Sequence, residues 1–371
     1  MKKVLLIIFI VIILTAGSYL FRNQIQWLSF KPNGPGSEIG LTKGEVPTPD
    51  IEIIADNLNI PWEIAFLPTG EMLVTERVGN LLKIGLDKKI IKIEGVNPVG
   101  EGGLQGLVLH PDFKKNNWLY FYLTTQKNQK LINRVERYKL DSNKLTEKKI
   151  ILDNIPADQY HDGGRIAFGP DRKLYITTGD AGQSKEAQNL NYLGGKILRL
   201  NDDGSIPSDN PYGTAVYSYG HRNPQGLAWD ESGNLWATEH GRSVPLSGYD
   251  ELNLIKKGGN YGWPNVQGKQ EKEGMISPVI QSGADKTWAP AGTVYLDGQI
   301  FFTGLRGESL YQFNIGTKKL TAHFFKEYGR LRALTIGPDG FFYLSTSNRD
   351  GRGTVNDGDD KIIKINPKIF K

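Results

Sequence analysis

The 371-residue chain contains no cysteine, so it holds no disulfide and no thiolate metal site, and nothing in it reports on redox compartment. Its five histidines show no zinc spacing with aspartate or glutamate. No Gly-Lys-Ser loop or paired-glycine turn is present to cradle phosphates, and no serine stands in a nucleophile-elbow context. The Asp-Gly pairs are turns, not calcium loops of the helical kind. No segment carries the periodicity of a long amphipathic helix. Blocks of one charge are also missing. Lys+Arg 45 against Asp+Glu 40 leaves +5, scattered apart from short runs such as Lys148-Lys149 and Lys256-Lys257, which argues against a nucleic-acid face.

What the chain does have is glycine (44) and aromatic residues (16 Tyr, 15 Phe, 7 Trp), the composition of many short strands joined by tight turns. One unit recurs: an apolar stretch, a polar turn with Pro, Asp or Gly, then a strand ending in Thr, Ser or Gly. It appears as AFLPTGEMLVTERVG from Ala65, LVLHPDFKKNNWLYFYLT from Leu107, AFGPDRKLYITTGDAG from Ala167, LAWDESGNLWATEHG from Leu227, VYLDGQIFFTGLRG from Val294 and LTIGPDGFFYLSTSNRDG from Leu334. The spacing, roughly 50 residues, fits one four-stranded propeller blade per unit. Leu174 and Ile176 alternate with Tyr175 and Thr177 at the period of a strand. Further strands read at Leu81–Ile84, Val135–Leu140, Ile197–Leu200 and Leu310–Asn314. The sequence therefore predicts an all-β, six-bladed β-propeller over residues 51–371. The last strand, KIIKI from Lys361, must pair with an early one to close the ring and remove exposed edges. A β-sandwich is the competing architecture, and the repeat length and count argue against it.

Ahead of that domain, Lys2 and Lys3 precede an apolar run from Val4 to Leu14 and then TAGS, the pattern of an export signal over residues 1–21. Extended to Phe21, the run approaches the roughly 18 apolar residues of a membrane anchor. Ser18 stands where a lipoprotein signal has its cysteine, which excludes lipidation. Residues 22–50 read as a linker, rich in Gly, Pro, Ser and Thr from about Lys31. The expected location is extracytoplasmic.

A propeller gathers its blade-connecting loops at one end of a central channel, so unusual polar residues at one point of successive repeats should converge. Those residues are Glu101 and Gln105; His161, Asp162 and Asp180; His221, Arg222 and Asn223; Glu239, His240 and Gly241; Arg306; and Arg330 and Arg332. Guanidinium groups gathered on one mouth suit a small polyanion. His161 is the candidate base, because imidazole accepts a proton near neutrality. Asp180 ends the hairpin whose first strand starts just after His161. A hairpin returns its end to its beginning, so the carboxylate can orient the ring; the alternative is that each residue merely closes a turn. His110 and His221 read as turn residues, His240 as a channel-lining candidate and His323 as a surface residue.

Several stretches, PWEIAFLPTGEMLVTERVG, EGGLQGLVLHPDF, HDGGRIAFGP, GHRNPQGLAW, DELNLIKKGGNYGWP and the RLRAL–SNRDGRG region, run in consistent order from about Asn57 to the C-terminus. Together they resemble the soluble aldose sugar dehydrogenases and glucose dehydrogenases that use pyrroloquinoline quinone. The resemblance implies a quinone lying across the channel mouth over a calcium ion. It implies that His161 takes the proton of the sugar C1 hydroxyl, that Asp180 orients His161, and that Arg222 stabilises charge developing on the quinone oxygen. Asn223, Arg306, Arg330 and Arg332 would bind cofactor carboxylates or carbonyls; Glu101, with Asp162, would face the sugar. The carbonyls of Gly241 and Arg242 would ligate calcium, and Glu251 and Tyr261 match a second calcium site. An aldose and an electron acceptor of unspecified kind are the implied partners. One departure stands out: the link after Gly241 reads RSVPLSGY, with Arg242 where the family has proline, a cation beside the calcium oxygens. A calcium-dependent lactonase and a non-catalytic sugar- or protein-binding propeller are the rival functions. The arginine-rich mouth argues against the lactonase, since hydrolysis does not need it.

Overall fold

The computed structural model describes residues 50–242, 248–268 and 270–370; the expected export segment and nearly all of the linker lie outside them. The strands form six four-stranded antiparallel sheets. In the first blade, Pro61–Phe66, Met72–Glu76, Asn80–Ile84 and Lys88–Lys92 follow one another from the inside outward. The innermost strand Pro61–Phe66 packs against its counterpart in the next blade, Leu104–Leu109, which in turn packs against Ile166–Phe168. Pro224–Trp229 meets that blade through Leu174–Thr178, Pro290–Leu296 and Leu331–Ile336 continue the series, and the last returns to Pro61–Phe66. The six blades thus close into a ring, as the six repeats predict. Among the described residues helical structure is confined to Phe113–Asn116, Ser184–Gln188 and Pro367–Phe370.

The last blade is completed from the start of the chain. Leu331–Ile336, Phe342–Thr346 and Ile362–Ile365 are its inner strands, and Ile51–Ala55 is its outermost, with Ile51 opposite Ile365. This is the closure expected of KIIKI. Strand alternation sets a polarity. The entries into first strands and the links from second to third strands share one end of the ring, the mouth. Ile51 begins at the opposite end, where Asn366 donates to the Asp50 carbonyl (2.7 Å) and carboxylate (3.0 Å). The same segment reaches the mouth end at Leu58, whose N–H donates to the Asp360 carbonyl (2.9 Å).

Second strands such as Met72–Glu76, Leu174–Thr178, Leu235–Glu239 and Phe342–Thr346 are buried along their whole length. Each is covered within its sheet by two strands and on its faces by two neighbouring blades, so alternate residues enter different cores. Leu73 packs with Leu104 and Phe121 toward the second blade. Met72 and Val74 pack with Tyr343 and Ile362 toward the last. The recurring turn aspartate pins its hairpin in three repeats: Asp171 accepts from the Tyr175 hydroxyl (3.0 Å), Asp230 from the Trp236 indole (3.0 Å) and Asp339 from the Tyr343 hydroxyl (2.9 Å). That repeated local chemistry explains why the turn reads so clearly in the sequence. His323, expected at the surface, is instead half-buried: its ring lies 4.7 Å from that of Phe370 and bonds to Gln312 (2.7 Å).

Toward the mouth the axis is filled by side chains. Two guanidinium groups lie over the Trp62 indole, Arg165 at 4.4 Å and Arg332 at 5.6 Å from its ring. Arg165 pairs with Glu63, and Arg332 donates to the Gln225 amide oxygen (3.2 Å). These cross-blade contacts form a rigid floor beneath the mouth loops.

Candidate active site

The hairpin Ile166–Phe168/Leu174–Thr178 brings His161 and Asp180 together: Nδ1 of His161 lies 2.7 Å from an Asp180 carboxylate oxygen. The close return depends on Gly179, where a Cβ would stand 1.7 Å from the His161 carbonyl oxygen. His161 itself takes a left-handed backbone, φ 63°, a strain of roughly 1–2 kcal/mol that the surrounding bonds must hold. Asp180 is 1% exposed. Its second oxygen accepts from the Trp263 indole (2.8 Å) and its first also accepts from the Gly182 N–H (2.9 Å). Burial alone would raise its carboxyl, but the bond to His161, then Arg222 and Trp263, hold it below the usual range. A carboxylate can only accept, so Nδ1 carries the proton and Nε2 is left as the basic nitrogen. In this structure Nε2 faces Arg222 Nη2 at 2.8 Å.

Arg222 is fixed from several sides. Its main-chain N–H bonds to Glu239, its guanidinium donates to the His240 carbonyl (3.4 Å), and its guanidinium carbon lies 5.4 Å from the Trp263 ring centre. Asn223 is fully buried; its oxygen accepts from the Gly163 N–H (3.0 Å), while its Nδ2 has no hydrogen-bond partner. Glu101 accepts from the His161 N–H (3.0 Å). The structure thus brings His161, Asp180, Arg222, Asn223 and Glu101 into one cluster, drawn from three blades. His240 lies beside it, pushed down to about 4 chiefly by burial, and so is neutral near pH 7.

Asp162 does not sit on the surface of this cluster. It is 0% exposed, beneath the mouth, where Asn133 Nδ2 donates to its carboxyl (2.9 Å) and the Tyr122 hydroxyl to its carbonyl (2.7 Å). Complete burial is inconsistent with the direct sugar contact expected of it. Burial first, then the charges of Glu101 and Asp158, push its carboxyl from 3.8 up to about 8 despite the bond from Asn133. A carboxyl whose folded pKa exceeds its unfolded value contributes fully below about 4, and that contribution is lost as pH rises to about 8. Asp162→Asn keeps an oxygen for Asn133. Relative to wild type its urea midpoint should therefore improve steadily between pH 4 and 8 and level off above; a pH-independent difference would refute this assignment.

The expected cofactor arginines divide. Arg330 and Arg332 are buried at the mouth end of the last blade. Arg330 pairs with Asp350 through Nη2 (2.7 Å) and Nε (3.0 Å) and donates to the Leu305 carbonyl (3.2 Å). Arg332 is pushed down to about 9 by burial, with Arg77 and Arg330 adding to the effect and Asp350 and Glu101 opposing it. Arg306, by contrast, is exposed.

A cleft on the neighbouring blade is lined by Arg222, Glu239, His240, Gly241, Glu251 and Trp263. The Gly241 N–H donates to Asp250 (2.8 Å), which also accepts from Thr287 (2.7 Å) and the Ala289 N–H (2.9 Å). Glu239 and Glu251 are direct partners across two strands. Burial and the Glu239 charge push the Glu251 carboxyl up to about 8. The Tyr261 hydroxyl is already engaged, donating to the Leu254 carbonyl (2.6 Å) and accepting from the Lys256 N–H (2.8 Å), so only its main chain could offer a ligand. The Arg242 carbonyl accepts from the Gly248 N–H (3.2 Å), and its guanidinium covers the Tyr249 ring at 4.9 Å. Among the described residues no group of three or more His, Cys, Asp or Glu is arranged to hold a metal. His221, read as a turn residue, is a buried structural histidine bonded to Glu239 (2.7 Å) and Ser218 (2.9 Å). His110 does act in a turn, accepting from the Asp112 N–H (2.9 Å).

Sequence reasoning gave no role to Trp263, Asp250 or Arg352. The Trp263 indole reaches Asp180 across 83 residues, and no local pattern marks such a contact.

Residues 58–356 match the glucose/sorbosone dehydrogenase family. The chain is 36% identical over 304 residues to quinoprotein glucose dehydrogenase B of Acinetobacter calcoaceticus, covering 71% of this chain and 62% of that protein. It is 31% identical over 360 residues to aldose sugar dehydrogenase YliI of Escherichia coli K12, covering 86% and 94%. The PQQ-bound structure of aldose sugar dehydrogenase from Streptomyces coelicolor superimposes with a TM-score of 0.78 at 38% identity, over 89% of this chain and 99% of that one.

Proposed function

The chain belongs to the glucose/sorbosone dehydrogenase family, and from that premise we propose that it oxidises the C1 hydroxyl of aldose sugars to the lactone, with His161 as general base and pyrroloquinoline quinone as electron acceptor. The arrangement of His161 carries this function. Asp180 and Trp263 fix the ring so that Nε2 is its basic atom, and the Arg222 guanidinium lies against that atom. A sugar hydroxyl must replace the Arg222 contact to hand its proton to Nε2. The resulting imidazolium is stabilised by the buried Asp180 carboxylate.

The mouth suits a quinone carrying several carboxylates. Arg222 and Arg332 are buried cations that burial disfavours, Arg330 lies buried beside them in its pair with Asp350, and the Asn223 amide donor is buried without a partner. A bound polyanion would relieve both. Bound there, the quinone supplies the two-electron acceptor that no side chain of the protein can provide. Arg306, exposed at the mouth, would add a further guanidinium.

Calcium would take the main-chain oxygens of Gly241 and Arg242, and a second ion Glu251 with the main chain of Tyr261. The donors are hard oxygens of the right kind, and the Arg242 guanidinium is turned onto Tyr249. An export signal at the N-terminus would put the reaction outside the cytoplasm, where an acceptor would reoxidise the cofactor.

Reconstitution tests this directly. Purified protein mixed with calcium and quinone, then given glucose and a redox dye, should bleach the dye. Omitting the quinone should abolish bleaching, and EDTA added before the quinone should reduce it strongly. Bleaching that is indifferent to the quinone would end the proposal, and indifference to EDTA would remove calcium from it.

A further inference from the structure

One charged contact at the mouth is used neither by the base nor by the proposed cofactor site. Arg352 Nη1 lies 2.8 Å from Glu101 Oε1, joining the last blade to the entry of the second across 251 residues. The other carboxylate oxygen, Oε2, accepts from the His161 main-chain N–H at 3.0 Å. The Arg352 guanidinium carbon also stands 5.6 Å from the Tyr160 ring centre, beside His161. The Arg352 side chain is 38% exposed and that of Glu101 12%. An ion pair with one partner this open adds little to the stability of a fold, so its placement against the base calls for a different account.

We propose that Arg352 is a positioning residue for sugar recognition: it holds the Glu101 carboxylate beside His161 as a fixed acceptor for hydroxyl groups of the aldose. This rests on the sugar-dehydrogenase reading and adds a residue to it. A carboxylate accepting from a hydroxyl discriminates strongly, because the bond is charge-assisted and its loss leaves a half-buried charge unpaired. Without Arg352, two constraints on that carboxylate become one.

The surrounding charges agree. Burial would raise the Glu101 carboxyl, but Arg352 above all, then His161 and His240, hold it well below the usual carboxylate range. Arg77, Arg222 and Arg332 add positive potential from neighbouring blades, Asp162 opposes them from below, and the Tyr160 phenol lies alongside. Glu101 is therefore ionised at every pH where the protein would work, and Arg352 is the largest single cause.

Three variants, Arg352→Gln, Arg352→Lys and Glu101→Gln, test the assignment in the quinone-loaded enzyme. Arg352→Gln should raise KM for glucose about tenfold or more with kcat little changed, and its KM should climb further as pH falls toward 4. Arg352→Lys should recover most of the affinity and the flat pH profile. Glu101→Gln should raise KM without any acid limb. Carboxyl NMR of the cofactor-free protein gives an independent reading: Glu101 should titrate closer to the ordinary carboxylate range in Arg352→Gln than in wild type. A wild-type KM and pH profile in Arg352→Gln would overturn the inference. If the NMR shift appears but the wild-type protein oxidises no aldose in the presence of quinone, the sugar-dehydrogenase reading has failed, and the inference with it.

Discussion

His161→Asn should lower kcat for quinone-dependent aldose oxidation by about 10²–10⁴-fold, with quinone binding retained. Asparagine is chosen because position 161 has φ 63°, a conformation it tolerates better than most residues. Its amide can still meet Asp180, but it has no atom able to accept the hydroxyl proton. Asp180→Asn should fall between this variant and wild type, because the ring stays in place while losing the charge that stabilises its protonated form. The measurement is steady-state kinetics with saturating dye, alongside a quinone titration followed by absorbance. Retention of kcat within a few-fold in His161→Asn would remove the histidine from the chemistry. Loss of quinone binding in the same variant would mean that its role is structural.

Asp350→Ala should cost the cofactor-free protein about 3–5 kcal/mol of stability, the usual consequence of breaking a buried ion pair by removing one partner. Asp350 is 2% and Arg330 7% exposed at the side chain. The carboxylate also counters Arg77 and Arg332 and accepts from the Arg352 N–H (3.0 Å). Its removal therefore leaves a group of buried guanidiniums with less to balance them. Urea unfolding of wild type and variant measures the loss. Because a bound polyanion would supply replacement charge, added quinone should raise the midpoint of the variant more than that of wild type. A loss below about 1 kcal/mol, the range of exposed pairs, would show that water reaches this cluster and that it is not a dry anion site.

The fold was legible because its information is local. Each hairpin declares itself through alternation and a turn aspartate that bonds to an aromatic four to six residues on, as in Asp171–Tyr175 and Asp230–Trp236. The pairing of Ile51–Ala55 with Ile362–Ile365 could be anticipated because a ring leaves one edge to fill. His161 and Asp180 were legible for the same reason, both lying at the ends of one hairpin. What could not be read was set by closure. Glu101 meets Arg352, Asp180 meets Trp263, and Trp62 meets both Arg165 and Arg332 only because distant blades become neighbours. Depth was equally hidden: Asp162 and His161 are adjacent in sequence, yet one is sealed beneath the mouth and the other is 18% exposed within it.

The strand that seals the ring also decides how the molecule can be held. Ile51 starts at the end of the ring opposite the mouth and the chain reaches the mouth end only after Ala55, so an attachment made at Asp50 lies on the side away from the mouth. Fixing the protein to a bead, an electrode or a bilayer through that point presents the mouth to the solution.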